Sequence, residues 1–150
     1  MEIKKILWPT DLSENAAVAL PYVTSLSQKY RAEIHLLYVA HDLGHHEAWY
    51  GEFTTEHITK LRDWETKTAE KRLEELCLNH LGGCPLYHKH VVVGDPAEEI
   101  LKTIEKEGVD IVIMASHGMK GHFPFGSVAD RVVKNSPVPV LTINAFKSKK

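Results

Sequence analysis

Long apolar runs are missing from this sequence. No stretch approaches the roughly 18 residues that a bilayer span requires, so no membrane segment and no membrane partner are expected. The opening Met1-Glu2-Ile3-Lys4-Lys5 leads straight into a short apolar segment, with neither an h-region nor a cleavage site. That opening points to the cytoplasm. An excess of one charge is also lacking, because 18 Lys and Arg stand against 20 Asp and Glu, for a formal net charge of −2. Such a balance suits neither a nucleic acid nor an anionic membrane as partner. Cysteine is scarce, and Cys77 and Cys84 are read as structural thiols rather than a redox pair. No internal repeat, low-complexity tract or linker is found, no Walker-type Gly-Lys-Ser, and no nucleophile, base and orienting acid at recognisable spacing. An enzyme is therefore not indicated, and no catalytic residue is assigned.

What is present suits one domain over residues 1–150, with 43% hydrophobic and 25% charged residues and enough chain to bury a sizeable core. Ile3 to Trp8, ended by Pro9, is too short for a helix and reads as strand one. Ser13 caps a helix over Glu14 to Tyr30, with Ala16, Leu20, Val23 and Tyr30 on one face and a kink or delayed start at Pro21. Ala32 to Ala40 reads as strand two. After a loop over 41–53, a long amphipathic helix runs from Thr54 to Leu81 with Ile58, Leu61, Ala69, Leu73 and Leu76 inward, and Gly82-Gly83 stops it. Leu86 to Val93 is strand three. Asp95-Pro96-Ala97-Glu98 combines a capping Asp, a first-turn proline and a Glu at capping-box spacing, which opens a helix that Gly108 ends. Val109 to Ala115 is a near-continuous apolar run, the mark of a central strand four. Gly126-Ser127 opens a last helix with Val128, Val132 and Val133, Pro137 to Ile143 is strand five, and 145–150 is a basic tail.

Alternation of β and α with long connections implies an α/β fold: an open, five-stranded, doubly wound parallel sheet of order 3-2-1-4-5 with four helices. In such sheets ligands bind beyond the carboxyl ends of the strands where strand order reverses. The loops after strands one, two and four are the ones that matter. The segment Ala115 to Ser127 holds Gly118, Gly121 and Gly126 and enters a helix amino terminus, where free amides favour phosphate.

The ordered series Pro9-Thr10-Asp11-Leu12-Ser13, Leu37-Tyr38-Val39, Gly94-Asp95-Pro96-Ala97-Glu98, Ala115-Ser116-His117-Gly118, Gly126-Ser127-Val128-Ala129 and Ser136-Pro137-Val138-Pro139-Val140-Leu141 resembles the universal stress proteins. ATP-binding members of that family carry Gly, two residues, Gly, nine residues, then Gly with Ser or Thr. Here Ala115 stands at the first glycine, and Met119 to Phe125, seven residues, separate Gly118 from Gly126. The resemblance implies a small homodimer that binds ATP or a related adenine nucleotide, with Mg2+ at the phosphates, in a stress response. It implies a site of Pro9, Thr10, Asp11 and Val39 on the base and ribose side, with Ala115, His117, Gly118, Gly126, Ser127 and Val128 around the phosphates. For Asp11 and Ser13, local turn and capping chemistry is the plain alternative. A second reading follows from the shortened loop: a protein-interaction module of the same fold without nucleotide. A third is a slow nucleotide hydrolase or transferase.

Other features are read plainly. No metal site is expected: His41, His45 and His46 beside Asp42 and Glu47 suit a solvated loop. His88 and His90 share one face of strand three, taken as an exposed edge face. Trp8, Trp49 and Trp64 are assigned to packing. The missing amides of Pro137 and Pro139 face one edge of strand five, and Leu141 and Ile143 restore donors there. On this reading that edge is free, the dimer forms through strand five, and Leu141→Pro breaks it.

Overall fold

The computed structural model describes residues 2–40, 55–84, 86–116 and 127–145. The elements are β1 (Lys5–Pro9), α1 (Glu14–Ala17), α2 (Leu20–Tyr30), β2 (Glu33–Ala40), α3 (Thr55–His80), β3 (Tyr87–Val93), α4 (Pro96–Glu107), β4 (Ile111–Ala115), α5 (Ser127–Asn135) and β5 (Val140–Ile143). They form one sheet of order β3-β2-β1-β4-β5, parallel at every pairing. This is the expected α/β arrangement, and the four expected helices are present with the first in two parts. Ser13 Oγ accepts from the Ala16 amide at 3.1 Å and starts α1. The break falls at Val18 and Ala19, because Pro21 has no N–H to continue the ladder and sits instead in the first turn of α2.

Side-chain alternation along the strands divides the core in two. Ile6, Trp8, Ile34, Leu36 and Ile113 pack with Val23 of α2 and with Leu73, Cys77 and Leu81. Leu7, Leu37, Val112 and Met114 pack with Ile100 and Ile104 of α4 and Val132 of α5. Each such buried aliphatic side chain contributes about 1.5–3 kcal/mol of transfer free energy. Every position of β4 is buried, as its unbroken apolar run predicts. Not every predicted core residue is inside: Tyr30, Leu61, Trp64 and Val133 are exposed. Burial holds the Cys77 thiol up at about 11, which fits the structural role read for it.

At the head of α4, Asp95 Oδ2 accepts from the Glu98 amide at 3.0 Å, and Gly108 ends the helix at φ 66°. The Asp95 carboxylate also takes Arg131 Nη1 of α5, at 2.9 and 3.1 Å. Its pKa is lowered by the Glu98 amide first and by Arg131, against a smaller opposing effect of burial.

β5 differs from expectation in extent and in which edge is free. It begins at Val140, after both prolines. The Val112 amide donates to the Pro139 carbonyl at 3.0 Å and the Ser116 amide to the Ile143 carbonyl at 2.9 Å. The odd-numbered residues 139, 141 and 143 therefore face β4, and the free edge belongs to Val140 and Thr142. The proline side is the covered side, because a residue without an amide can still accept from a neighbouring strand.

Candidate nucleotide site

Where strand order reverses, β1 lies between β2 and β4, and the carboxyl ends of these three strands stand side by side. Pro9 closes β1 opposite Leu37 of β2. The Thr10 amide donates to the Leu37 carbonyl at 2.9 Å. Its Oγ1 accepts from the Leu12 amide at 3.0 Å. Asp11 Oδ1 accepts from the Ser13 amide at 2.9 Å. This run of side-chain-to-backbone bonds turns the chain sharply, with Leu12 at φ 65°, and Arg72 Nη2 from α3 donates to the Leu12 carbonyl at 2.9 Å. Local turn chemistry thus accounts for how Thr10, Asp11 and Ser13 are held.

Val39, one residue from the end of β2, is half-buried against the cluster beneath α4 and α5. Ala115 is the buried last residue of β4. Ser127 is exposed and is the first residue of α5. Val128 packs against the same cluster as Val39. His117, Gly118 and Gly126, with the loop that joins them, lie outside the described residues, as do His41, His45, His46 and Trp49. Tyr38, on the opposite face to Val39, donates from its hydroxyl to Glu65 Oε1 at 2.9 Å. Burial first, and then that carboxylate, push its pKa up to about 12, so it acts as a neutral strut between β2 and α3.

A second polar constellation was not anticipated. β3 is an edge strand, but the face carrying His88 and His90 is not an open one. The two rings stack on His35 of β2, with centroids 4.7 and 5.2 Å from it, and His35 itself is 3% exposed. The exposed reading of this pair holds only in part: both residues are half-buried against His35 of β2, while 42% of the His88 side chain stays exposed. His35 Nδ1 and His90 Nε2 are 3.0 Å apart. Glu33 Oε2 lies 3.5 Å from His35 Nε2 and 3.6 Å from His88 Nε2. Burial lowers the pKa of His35, with His88 and His90 adding to the effect and Glu33 opposing it. The signal in the sequence was a histidine inside an apolar strand, together with an i, i+2 histidine pair on another strand.

An open parallel sheet with helices on both faces is a doubly wound α/β domain, whose ligands sit beyond the carboxyl ends of the strands at the switch point. Comparison with known proteins narrows this class. The chain belongs to the universal stress protein family, whose pattern it matches over residues 2–144. It is 35% identical to universal stress protein MJ0577 of Methanocaldococcus jannaschii, over 97% of each chain. With universal stress protein MJ0531 of the same organism it shares 32% identity, over 96% of this chain and 84% of that one. The solved structure of MJ0577 superposes with a TM-score of 0.83 at 34% identity, covering 96% of this chain and 97% of that one. An Arabidopsis thaliana universal stress family protein with AMP bound shares the fold at a TM-score of 0.60 and 17% identity, over 94% and 91% of the chains. No helix among the described residues is long and apolar enough to cross a membrane.

Proposed function

We propose that this universal stress protein binds ATP or a related adenine nucleotide at the carboxyl ends of β1, β2 and β4, as a cytoplasmic homodimer that reports or buffers a stress state. The observation that carries this reading is the meeting of Pro9-Thr10-Asp11, Val39 and Ala115 at the switch point of the sheet, where ligands of such folds sit. The fold neighbour with AMP bound supports it. In this reading Pro9, Thr10, Asp11 and Val39 take the base and ribose. The backbone from Ala115 through His117 and Gly118 to Gly126, Ser127 and Val128 takes the phosphates and their Mg2+. Mass spectrometry of the protein as isolated is expected to find an adenine nucleotide. In titration calorimetry Gly126→Val is expected to weaken ATP about tenfold or more, since a branched side chain fills the space a phosphate needs. Protein that carries no nucleotide and takes up no ATP would instead be the interaction module.

The dimer rests on β5, an edge strand with outward amides at Val140 and Thr142 and an exposed Leu141. Two-fold pairing of such an edge with a second copy would satisfy these groups isologously. Thr142→Pro removes an outward donor and is expected to convert a dimer to a monomer in sedimentation, while Thr142→Ala stays dimeric. A parent protein that sediments as a monomer at micromolar concentration overturns the pairing.

A further inference from the structure

The geometry points to a zinc-type transition-metal site formed by Glu33, His35 and His88 at the amino end of β2 and β3, with His90 behind it. Glu33 is the first residue of β2, while Pro9, Val39 and Ala115 mark the carboxyl ends of their strands. The site is therefore at the opposite end of the sheet from the proposed nucleotide and independent of it.

Three observations carry the assignment. One ligand atom from each of Glu33, His35 and His88 lies within 4.8 Å of the other two. The Glu33 carboxylate stands 3.5 and 3.6 Å from the two imidazole nitrogens. A tetrahedral ion with ligands at zinc distances separates neighbouring ligand atoms by about 3.4 Å. Burial supplies the second observation: His35 Nε2 is fully enclosed, and among the described residues it makes no well-formed hydrogen bond, only the 3.5 Å contact with Glu33 Oε2. An enclosed ring nitrogen so weakly satisfied is costly.

The third is the outer partner. The 3.0 Å contact between His35 Nδ1 and His90 Nε2 needs one donor. When His35 donates, its Nε2 presents a bare lone pair to a carboxylate oxygen 3.5 Å away, and a cation between these two acceptors would hold them together. This is the usual arrangement of a metal-bound histidine, whose other N–H is fixed by an outer acceptor. Glu107, at the end of α4, backs His90 in turn, with ligand atoms of His35, His90 and Glu107 also within 4.8 Å of one another. The stacked His88 ring turns about χ2, a broad torsion, to bring its nitrogen onto the ion, and its partial exposure leaves room to do so.

Two imidazoles and one carboxylate suit Zn2+ and its neighbours, whereas Mg2+ and Ca2+ take oxygen ligands. Three protein ligands leave a fourth position for water. The ion would fasten the edge strand β3 to β2 through residues 33, 35 and 88.

The test is calorimetric titration of Zn2+ into tag-free, chelator-treated full-length protein without nucleotide. One Zn2+ per chain is expected. Glu33→Gln and His88→Ala should each weaken it about 100-fold or more, and His90→Ala about tenfold, the scale of outer-partner losses. Replacing His41, His45 and His46 together by alanine should leave the site intact. Co2+ should give the strong visible bands of tetrahedral coordination. In the parent protein, NMR should show the His35 and His88 ring signals shifting and saturating at one equivalent of Zn2+, which needs no variant to fold. Absent Zn2+ uptake, uptake indifferent to Glu33→Gln and His88→Ala, or ring signals that do not move would each overturn the site and leave a hydrogen-bonded histidine relay.

Discussion

Trp8→Ala is expected to lower the unfolding free energy by about 3–5 kcal/mol, the range for emptying an aromatic site in a core. Trp8 is fully buried, pairs in register with Leu36, and belongs to the cluster that includes Val23, Leu73 and Leu81. Neighbours on two helices cannot all move inward to fill the space, so most of the cavity remains. Domains of this kind hold only about 5–15 kcal/mol in total, so the variant sits near the threshold of folding. Trp8→Phe is the informative control. The indole Nε1 is buried without a partner among the described residues, so this change removes an unsatisfied donor along with some volume. The two effects oppose each other, and the net cost is expected to stay below about 1.5 kcal/mol. Urea denaturation of the three proteins with equal slopes measures both differences. A Phe variant as unstable as the Ala variant would show that the indole N–H is engaged after all.

Asp110→Ala is expected to cost about 2–3 kcal/mol, because hydrogen bonds to a charged acceptor are among the stronger ones. One carboxylate oxygen, Asp110 Oδ2, accepts from the Lys4 amide at 2.8 Å and the Lys5 amide at 2.9 Å. These amides open the central strand β1, while Asp110 directly precedes its neighbour β4. The Asp110 amide also donates to the Lys5 carbonyl at 2.9 Å, and Lys5 Nζ donates to the Glu107 carbonyl at 2.9 Å. Losing the carboxylate leaves the half-buried Lys5 amide without its acceptor, whereas water can replace the more exposed bond at Lys4. Asp110→Asn keeps an acceptor oxygen and should lose about half as much. Denaturation gives the totals, and faster hydrogen exchange at the Lys5 amide locates the effect. A cost below about 0.5 kcal/mol would mean that water serves both amides equally well.

The contrast between these residues explains what could be read in advance. The burial of β4 on both faces follows from an unbroken apolar run, and α4 begins where the capping Asp95 and Pro96 say it does, because both signals lie within a few residues of what they specify. Strand order follows from alternation and from a resemblance carried by ordered motifs along nearly the whole chain. Asp110 and Lys4 are 106 positions apart, and no local pattern announces such a contact. The histidines show the same limit. Side-chain alternation puts His88 and His90 on one face, but only the pairing of His88 beside His35 makes that face a cluster. For β5, the prolines gave the correct parity and the wrong edge, since sequence alone does not say on which side the neighbour lies. Of the residues assigned to the proposed nucleotide, Pro9 to Asp11, Val39 and Ala115 lie at or just past the carboxyl ends of β1, β2 and β4. His117, Gly118 and Gly126 lie beyond the described residues.

Asp95 serves two helices at once, and this has a consequence in acid. Its folded pKa is depressed, so its contribution to stability is in force above the pKa of the unfolded chain and is lost only as pH falls through the lower folded value. Through the mildly acid range, where unassisted aspartates begin to protonate, the rivet between α4 and α5 therefore stays closed. Arg131 is one turn beyond Ser127 on α5. The amino-terminal half of α5 is therefore tied to the junction between β3 and α4, and the two helices on this face of the sheet keep their relation to one another in mild acid.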